Sequence, residues 1–146
     1  MFILALVGLF HAGLAGAQTP SEVASFKKWS AYKLKQDRGT ACYLATQPSS
    51  SRPKGVKRSA IWLFVTHRPF DKVRDEVSLH MGYPLKKDSN VVVEIDGRKK
   101  YDLFGHGETA WAKTREIDRE LVVAMRKGAT MVVRGVSKRD TKTTDT

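Results

Sequence analysis

The chain has 146 residues, enough for one domain with a real core and too few for two ordinary ones. Lys+Arg is 26 against 15 Asp+Glu, for a net charge of +11, with 41% hydrophobic and 28% charged residues, so wholesale disorder and a polytopic membrane protein are both excluded. A single cysteine excludes an internal disulfide framework and a Cys-rich zinc site.

In chain order, Met1–Ala17 carries no Asp, Glu, Lys or Arg and is almost wholly apolar. It is shorter than the roughly 20 residues a spanning helix needs. It ends Ala15-Gly16-Ala17, the small-x-small pattern that a signal peptidase admits, so the segment reads as a signal peptide cleaved before Gln18. A buried helix or an uncleaved anchor is the alternative, and no transmembrane segment is expected after cleavage.

Trp29 and Ala31 read as core positions of a first strand, in which Lys33 and Lys35 share one face and Leu34 turns to the core. Thr40–Gln47 and Ala60–Thr66 have the length and aromatic content of strands. Cys42, mid-strand with Thr40 and Leu44 as companions, is expected to pack as a small, unreactive apolar side chain. Pro48–Arg58 reads as a polar loop that packs nothing and is free to swing. Val73–Leu79 alternates Val73, Asp75, Val77 and Leu79 against Arg74, Glu76 and Ser78, and Gly82-Tyr83-Pro84 breaks it. Val91–Ile95, Asp96-Gly97 and Arg98–Phe104 read as a hairpin, Asp-Gly supplying the two positive-φ positions of a type I′ turn. From Arg115 to Lys127, Ile117, Leu121, Ala124 and Met125 recur on one helical face, acidic residues early and basic ones late, with Gly128 placed for a left-handed cap. Thr130–Val136 returns to a strand, and the Thr-rich tail reads as a turn into a last strand. The sum is a mainly β fold: an antiparallel β-sandwich or open barrel with one short helix over about 115–127, in one domain, 18–146.

The charge is uneven. Residues 18–70 hold ten basic and two acidic residues, against sixteen and thirteen in residues 71–146. Lys27, Lys28, Lys33 and Lys35, with Arg52, Lys54, Lys57 and Arg58 of the loop, are therefore candidates for an anion-binding face, a solvated surface being the alternative. Nucleic acid is not expected, although Phe26-Lys27-Lys28-Trp29 interleaves aromatic and basic residues.

Catalytic patterns are thin. His67, His80 and His106 have no metal-site spacing, Asp75 and Glu76 point to opposite faces, and Ser49-Ser50-Ser51 has no Gly-x-Ser-x-Gly frame. No phosphate-binding or dinucleotide glycine pattern occurs, and no cofactor or metal is expected. An enzyme, a secreted hydrolase for example, or an inhibitor would need a site assembled from distant loops, with two or more of His67, His80, Glu94 and Asp102 lining one pocket.

Trp29-Ser30-Ala31-Tyr32, Ala41-Cys42-Tyr43 and Phe64-Val65-Thr66-His67-Arg68-Pro69 resemble the invasion-associated locus B family of secreted bacterial proteins. Further pieces follow in order: Glu76-Val77-Ser78, Gly82-Tyr83-Pro84, Val93-Glu94-Ile95-Asp96-Gly97, Ala110-Trp111, Ala124-Met125-Arg126-Lys127-Gly128, Met131-Val132-Val133-Arg134-Gly135 and Thr144-Asp145-Thr146. The resemblance implies an exported β-sandwich-like protein of a Gram-negative bacterium, periplasmic or secreted, with no catalytic residues in its pattern. The excess of basic residues, not the resemblance, points to a partner such as an anionic envelope or host-surface component, and the oligomeric state stays open. Relatives run past Thr-Asp-Thr into a further strand, and some carry paired cysteines where Cys42 stands alone.

Overall fold

The computed structural model describes residues 18–146, so the signal-peptide reading of Met1–Ala17 lies outside it. The strands are β1 (Ser21–Phe26), β2 (Trp29–Gln36), β3 (Gly39–Thr46), β4 (Ser51–Arg52), β5 (Trp62–Arg68), β6 (Val73–His80), β7 (Asn90–Ile95), β8 (Lys99–His106), β9 (Thr109–Trp111), β10 (Met131–Val136) and β11 (Lys142–Asp145). Among the described residues one α-helix, α1 (Arg115–Lys127), and one 3-10 turn, Pro69–Asp71, interrupt them. The strands form a single antiparallel sheet in the order β1-β2-β3-β5-β6-β9-β8-β7-β10-β11-β4, open at β1 and β4. This is the open sandwich with one helix that the period-two patterning predicts.

Alternation decides which face is buried. Leu63 and Val65 of β5, Val77 and Leu79 of β6, Val91 and Val93 of β7 and Val133 of β10 all enter one cluster, so the two halves of the sheet face each other across it. Leu121 of α1, fully buried, closes the cluster where the helix lies against β6. Each such side chain contributes about 1.5–3 kcal/mol by leaving water. The β7–β8 turn has φ of 51° at Asp96 and 65° at Gly97, and Arg98 N–H donates to the Ile95 carbonyl at 3.0 Å. The Asp96 carboxylate also accepts from Ala129 and Thr130 N–H at 3.0 and 2.8 Å, which pins the hairpin to the loop after α1 and lowers its pKa.

Four expectations are corrected. A strand the sequence does not announce, β1, precedes β2; all six of its residues are exposed, so no apolar alternation marks it. Leu34 does not face the core. Trp29 packs on the core, so odd residues of β2 face inward, while Leu34 lies on the outer face with Tyr32, whose ring stacks on Tyr43 at 5.1 Å. Gly128 is extended, with φ of −88°, not left-handed. It is needed for a close approach, since a Cβ there would come within 2.5 Å of Ile95 Cγ2.

The fourth correction is Cys42, which is exposed. It shares the inward face with Leu44, but α1 and the opposing strands do not extend over this end of β3, and Leu44 is itself 42% exposed. Its neighbours across the sheet are Lys33 of β2 and His67 of β5. The native protein is therefore expected to react with an aromatic disulfide reagent about as fast as the urea-unfolded chain. Labelling that waits on unfolding would show a thiol that is covered after all.

Candidate functional site

The β3–β5 connection carries much of the excess charge, and it is held rather than free. Ser49 and Ser50 N–H groups both donate to the Thr146 carbonyl, at 2.6 and 3.1 Å, and Thr146 N–H returns a bond to Ser50 at 2.9 Å. Arg52 then pairs with Thr144 and Ser51 with Asp145, which makes β4 the last strand of the sheet. The expected swinging loop is thus a backbone staple.

Arg58 leaves the set of ligand-binding candidates. Its side chain is 8% exposed, its two terminal nitrogens each meet an Asp145 carboxylate oxygen at 2.8 Å, and Nε and Nη2 donate to the Met81 carbonyl at 3.2 and 2.7 Å. The guanidinium also lies 4.8 Å from the centroid of Tyr83, whose hydroxyl is 2.6 Å from Thr143 Oγ1. With four of its five N–H groups used inside the protein and the side chain only 8% exposed, the fork offers little to a ligand.

The other seven candidates, Lys27, Lys28, Lys33, Lys35, Arg52, Lys54 and Lys57, are all exposed. Among the described residues none of them has a carboxylate within salt-bridge distance, whereas Arg38, Arg68, Lys86, Lys99, Lys100 and Arg134 all do. They do not form one patch. Lys28 donates to Ser49 Oγ at 2.7 Å and so belongs with the connection that bears Arg52, Lys54 and Lys57. Lys33 and Lys35 lie further along β2, roughly 15 Å or more from Lys28 at the usual rise per residue.

Beside Lys28 opens a cavity of about 390 Å³ between the facing halves of the sheet and the C-terminal end of α1. Its lining includes Trp29, Ile61, Trp62, Met125 and Met131, with the edges of the core residues Leu63, Leu79 and Val133 behind them. Among the described residues Asp145 is the one acidic side chain in the lining, and Arg58 neutralises it; the chain-terminal Thr146 lies beside it in the same lining.

The family model described as Invasion associated locus B (IalB) protein matches residues 29–146. The chain belongs to this family. The IalB match starts at the first residue of β2 and runs through Thr146, so it takes in the cavity, the Arg58–Asp145 pair and the stapled connection but not β1. Neither the curated proteins nor the solved structures returned a match.

The residues that would have marked an enzyme lie apart in this IalB domain. None of His67, His80, Glu94 and Asp102 lines the cavity. His67 Nδ1 accepts from Asp75 N–H at 3.1 Å, and His80 Nε2 is 3.3 Å from Thr109 Oγ1. Glu94 is held by Arg134 at 3.2 Å and Lys100 at 3.5 Å. Among the described residues no three His, Cys, Asp or Glu gather as metal ligands, and no helix is long and apolar enough to cross a membrane. Sequence reasoning missed the cavity, because Met125 reads as an ordinary core position of a helix and Met131 as the first residue of a strand. Only the topology brings them into one lining with Trp29.

Proposed function

We propose that this IalB protein is an exported, non-enzymatic binding protein of the periplasm or the cell exterior that engages anionic ligands of an envelope or a host surface. Membership of a family that is generally extracellular or periplasmic supports the location. The observation that carries the binding reading is the set of seven exposed cations without carboxylate partners within residues 18–70, where ten basic residues stand against two acidic ones. Unpaired cations keep their field for an incoming anion.

The test is retention on heparin. Exposed charges act over about 8–10 Å at physiological ionic strength, so retention should fall steeply as salt rises. Reversing Lys28, Lys33, Lys35 and Lys57 to Glu should abolish it at low salt and leave the thermal midpoint nearly unchanged, since all four are exposed. Equal retention of the reversed and parent proteins would mean that the imbalance is only a solvated surface.

A further inference from the structure

We infer that the cleft between the β3–β5 connection and the β10–β11 turn binds a tetrahedral oxyanion, a phosphate or sulfate group. The inference goes beyond the anion-binding reading above. Of its three cations only Lys57 belongs to the seven named there, while Lys138 and Arg139 lie in residues 71–146, where sixteen basic residues stand against thirteen acidic ones.

Backbone bonds build the cleft. Gly82-Tyr83-Pro84, after β6, forms its spine. The Gly82 carbonyl accepts from Ser59 N–H at 2.8 Å at one end, and the Pro84 carbonyl accepts from Lys138 N–H at 2.9 Å at the other. The first contact needs glycine, since Gly82 has a φ of 72° and a Cβ there would collide with the Ser59 carbonyl oxygen. The β10–β11 turn is fixed in its own right: Ser137 Oγ accepts from Arg139 and Thr141 N–H, both at 3.2 Å, and Asp140 N–H donates to the Ser137 carbonyl at 2.8 Å. Lys57, Lys138 and Arg139 are thus carried by segments anchored on one spine, and they line one space of about 530 Å³. Little ordering is left for a ligand to impose.

Charge assigns the class of ligand. Among the described residues no Asp or Glu lines the cleft. Lys57, Lys138 and Arg139 are exposed, and among the described residues none of them has a carboxylate within salt-bridge distance. Asp140, inside the turn, is taken by Lys86, and Asp145 by Arg58. A cleft with one sign of charge over less polar walls, here Val56, Tyr83 and Pro84, concentrates its field on an incoming anion.

Ser137 adds a neutral donor. Its oxygen takes two N–H bonds, and although the residue is buried its own proton has no acceptor among the described residues. A lysine from one end of the spine and a lysine, an arginine and a hydroxyl from the other offer more donors than the two coplanar oxygens of a carboxylate can meet. A phosphate or sulfate monoester spreads three acceptor oxygens about its centre and can take bonds from both ends.

Amide NMR in phosphate-free buffer at physiological ionic strength tests this, with glucose 6-phosphate, glucose 6-sulfate and inorganic phosphate as probes. Both esters should shift the amides of Lys57–Ser59 and Ser137–Thr141 saturably, glucuronate should bind more weakly, and glucose should not bind. Inorganic phosphate as tight as the esters assigns the site to the free ion, and weaker binding assigns it to a phosphorylated or sulfated sugar. Lys138→Gln and Arg139→Gln should each weaken ester binding about tenfold, as expected for loss of a charge-assisted hydrogen bond, with the thermal midpoint unchanged because both side chains are exposed. Lys28→Gln/Lys33→Gln/Lys35→Gln should leave ester binding nearly unchanged.

Shifts spread over the whole basic surface, glucuronate binding as tight as the esters, or unaltered binding in both single variants would each overturn the inference. So would an equal loss in the Lys28, Lys33 and Lys35 variant, since that is diffuse attraction and not a site. If the cleft binds nothing while heparin retention depends on Lys28, Lys33 and Lys35, the inference falls and the reading of the seven cations stands. If ester binding follows Lys138 and Arg139 while charge reversal leaves heparin retention intact, the inference stands and that reading falls.

Discussion

Asp145→Ala should lower folding stability by about 3–5 kcal/mol, the cost of leaving one partner of a buried ion pair alone. Both side chains are nearly inaccessible, 8% exposed for Arg58 and 4% for Asp145, and the geometry is bidentate at 2.8 Å on each arm. Removing the carboxylate leaves a desolvated guanidinium with only the Met81 carbonyl and the Tyr83 ring. Removing the guanidinium by Arg58→Met leaves a bare carboxylate beneath the staple that joins β4 to β11, with a similar loss. The double variant Arg58→Met/Asp145→Leu replaces the pair by apolar groups and should recover most of that loss, because the attraction within such a pair largely offsets the cost of desolvating it. Urea unfolding of the three variants decides the matter: single losses below about 1 kcal/mol would mean water reaches the pair and screens it. Arg58→Met should also keep parental heparin retention while it remains folded. A fall in retention there would restore Arg58 to the set of ligand-binding cations.

Local chemistry was legible and covering was not. The β7–β8 hairpin follows from Asp96-Gly97 and its flanking alternation, and α1 begins and ends at Arg115 and Lys127 as its periodicity and charge order imply. Those signals are complete within a few residues. Leu34, Cys42 and Arg58 were misplaced because each outcome depends on what lies over a face. Leu34 sits on the aromatic outer face, Cys42 faces inward where nothing covers it, and Arg58 meets a carboxylate 87 residues away. The cations were legible as a count, but which of them are unpaired is set by the register of strands far apart in the chain. The cavity belongs to the same class, since it is a space between elements and no residue pattern describes a space.

Asp118 should make the protein more stable near pH 4 than near pH 7, by up to about 3 kcal/mol, and Asp118→Asn should remove that component. The sequence shows only an acidic residue early in a helix. In the fold it is 8% exposed and its Oδ1 accepts from Val77 N–H at 2.9 Å. The bond exists because β9 pairs only with Ser78–His80 of β6, so the Val77 N–H has no strand partner on that side and α1 supplies one. Burial disfavours the charged carboxylate and pushes its pKa from 3.8 to about 6, opposed by the Val77 bond and reinforced by the nearby charges of Glu76 and Asp75. With the folded pKa above the unfolded one, the native state holds the extra proton between about pH 4 and pH 6. Its contribution is therefore fully present below pH 4 and is lost as pH rises through 6. Asparagine keeps the acceptor for Val77 and carries no charge, so it should match the parent near pH 4 and exceed it near pH 7. Alanine removes the acceptor and should cost about 1–3 kcal/mol at any pH, the penalty for a buried N–H without a partner. The measurement is urea unfolding of the three proteins from pH 4 to pH 7. A difference between parent and asparagine variant that does not change across that range would show a hydrated carboxylate, and Asp118 would then be a strand cap without a pH-dependent cost.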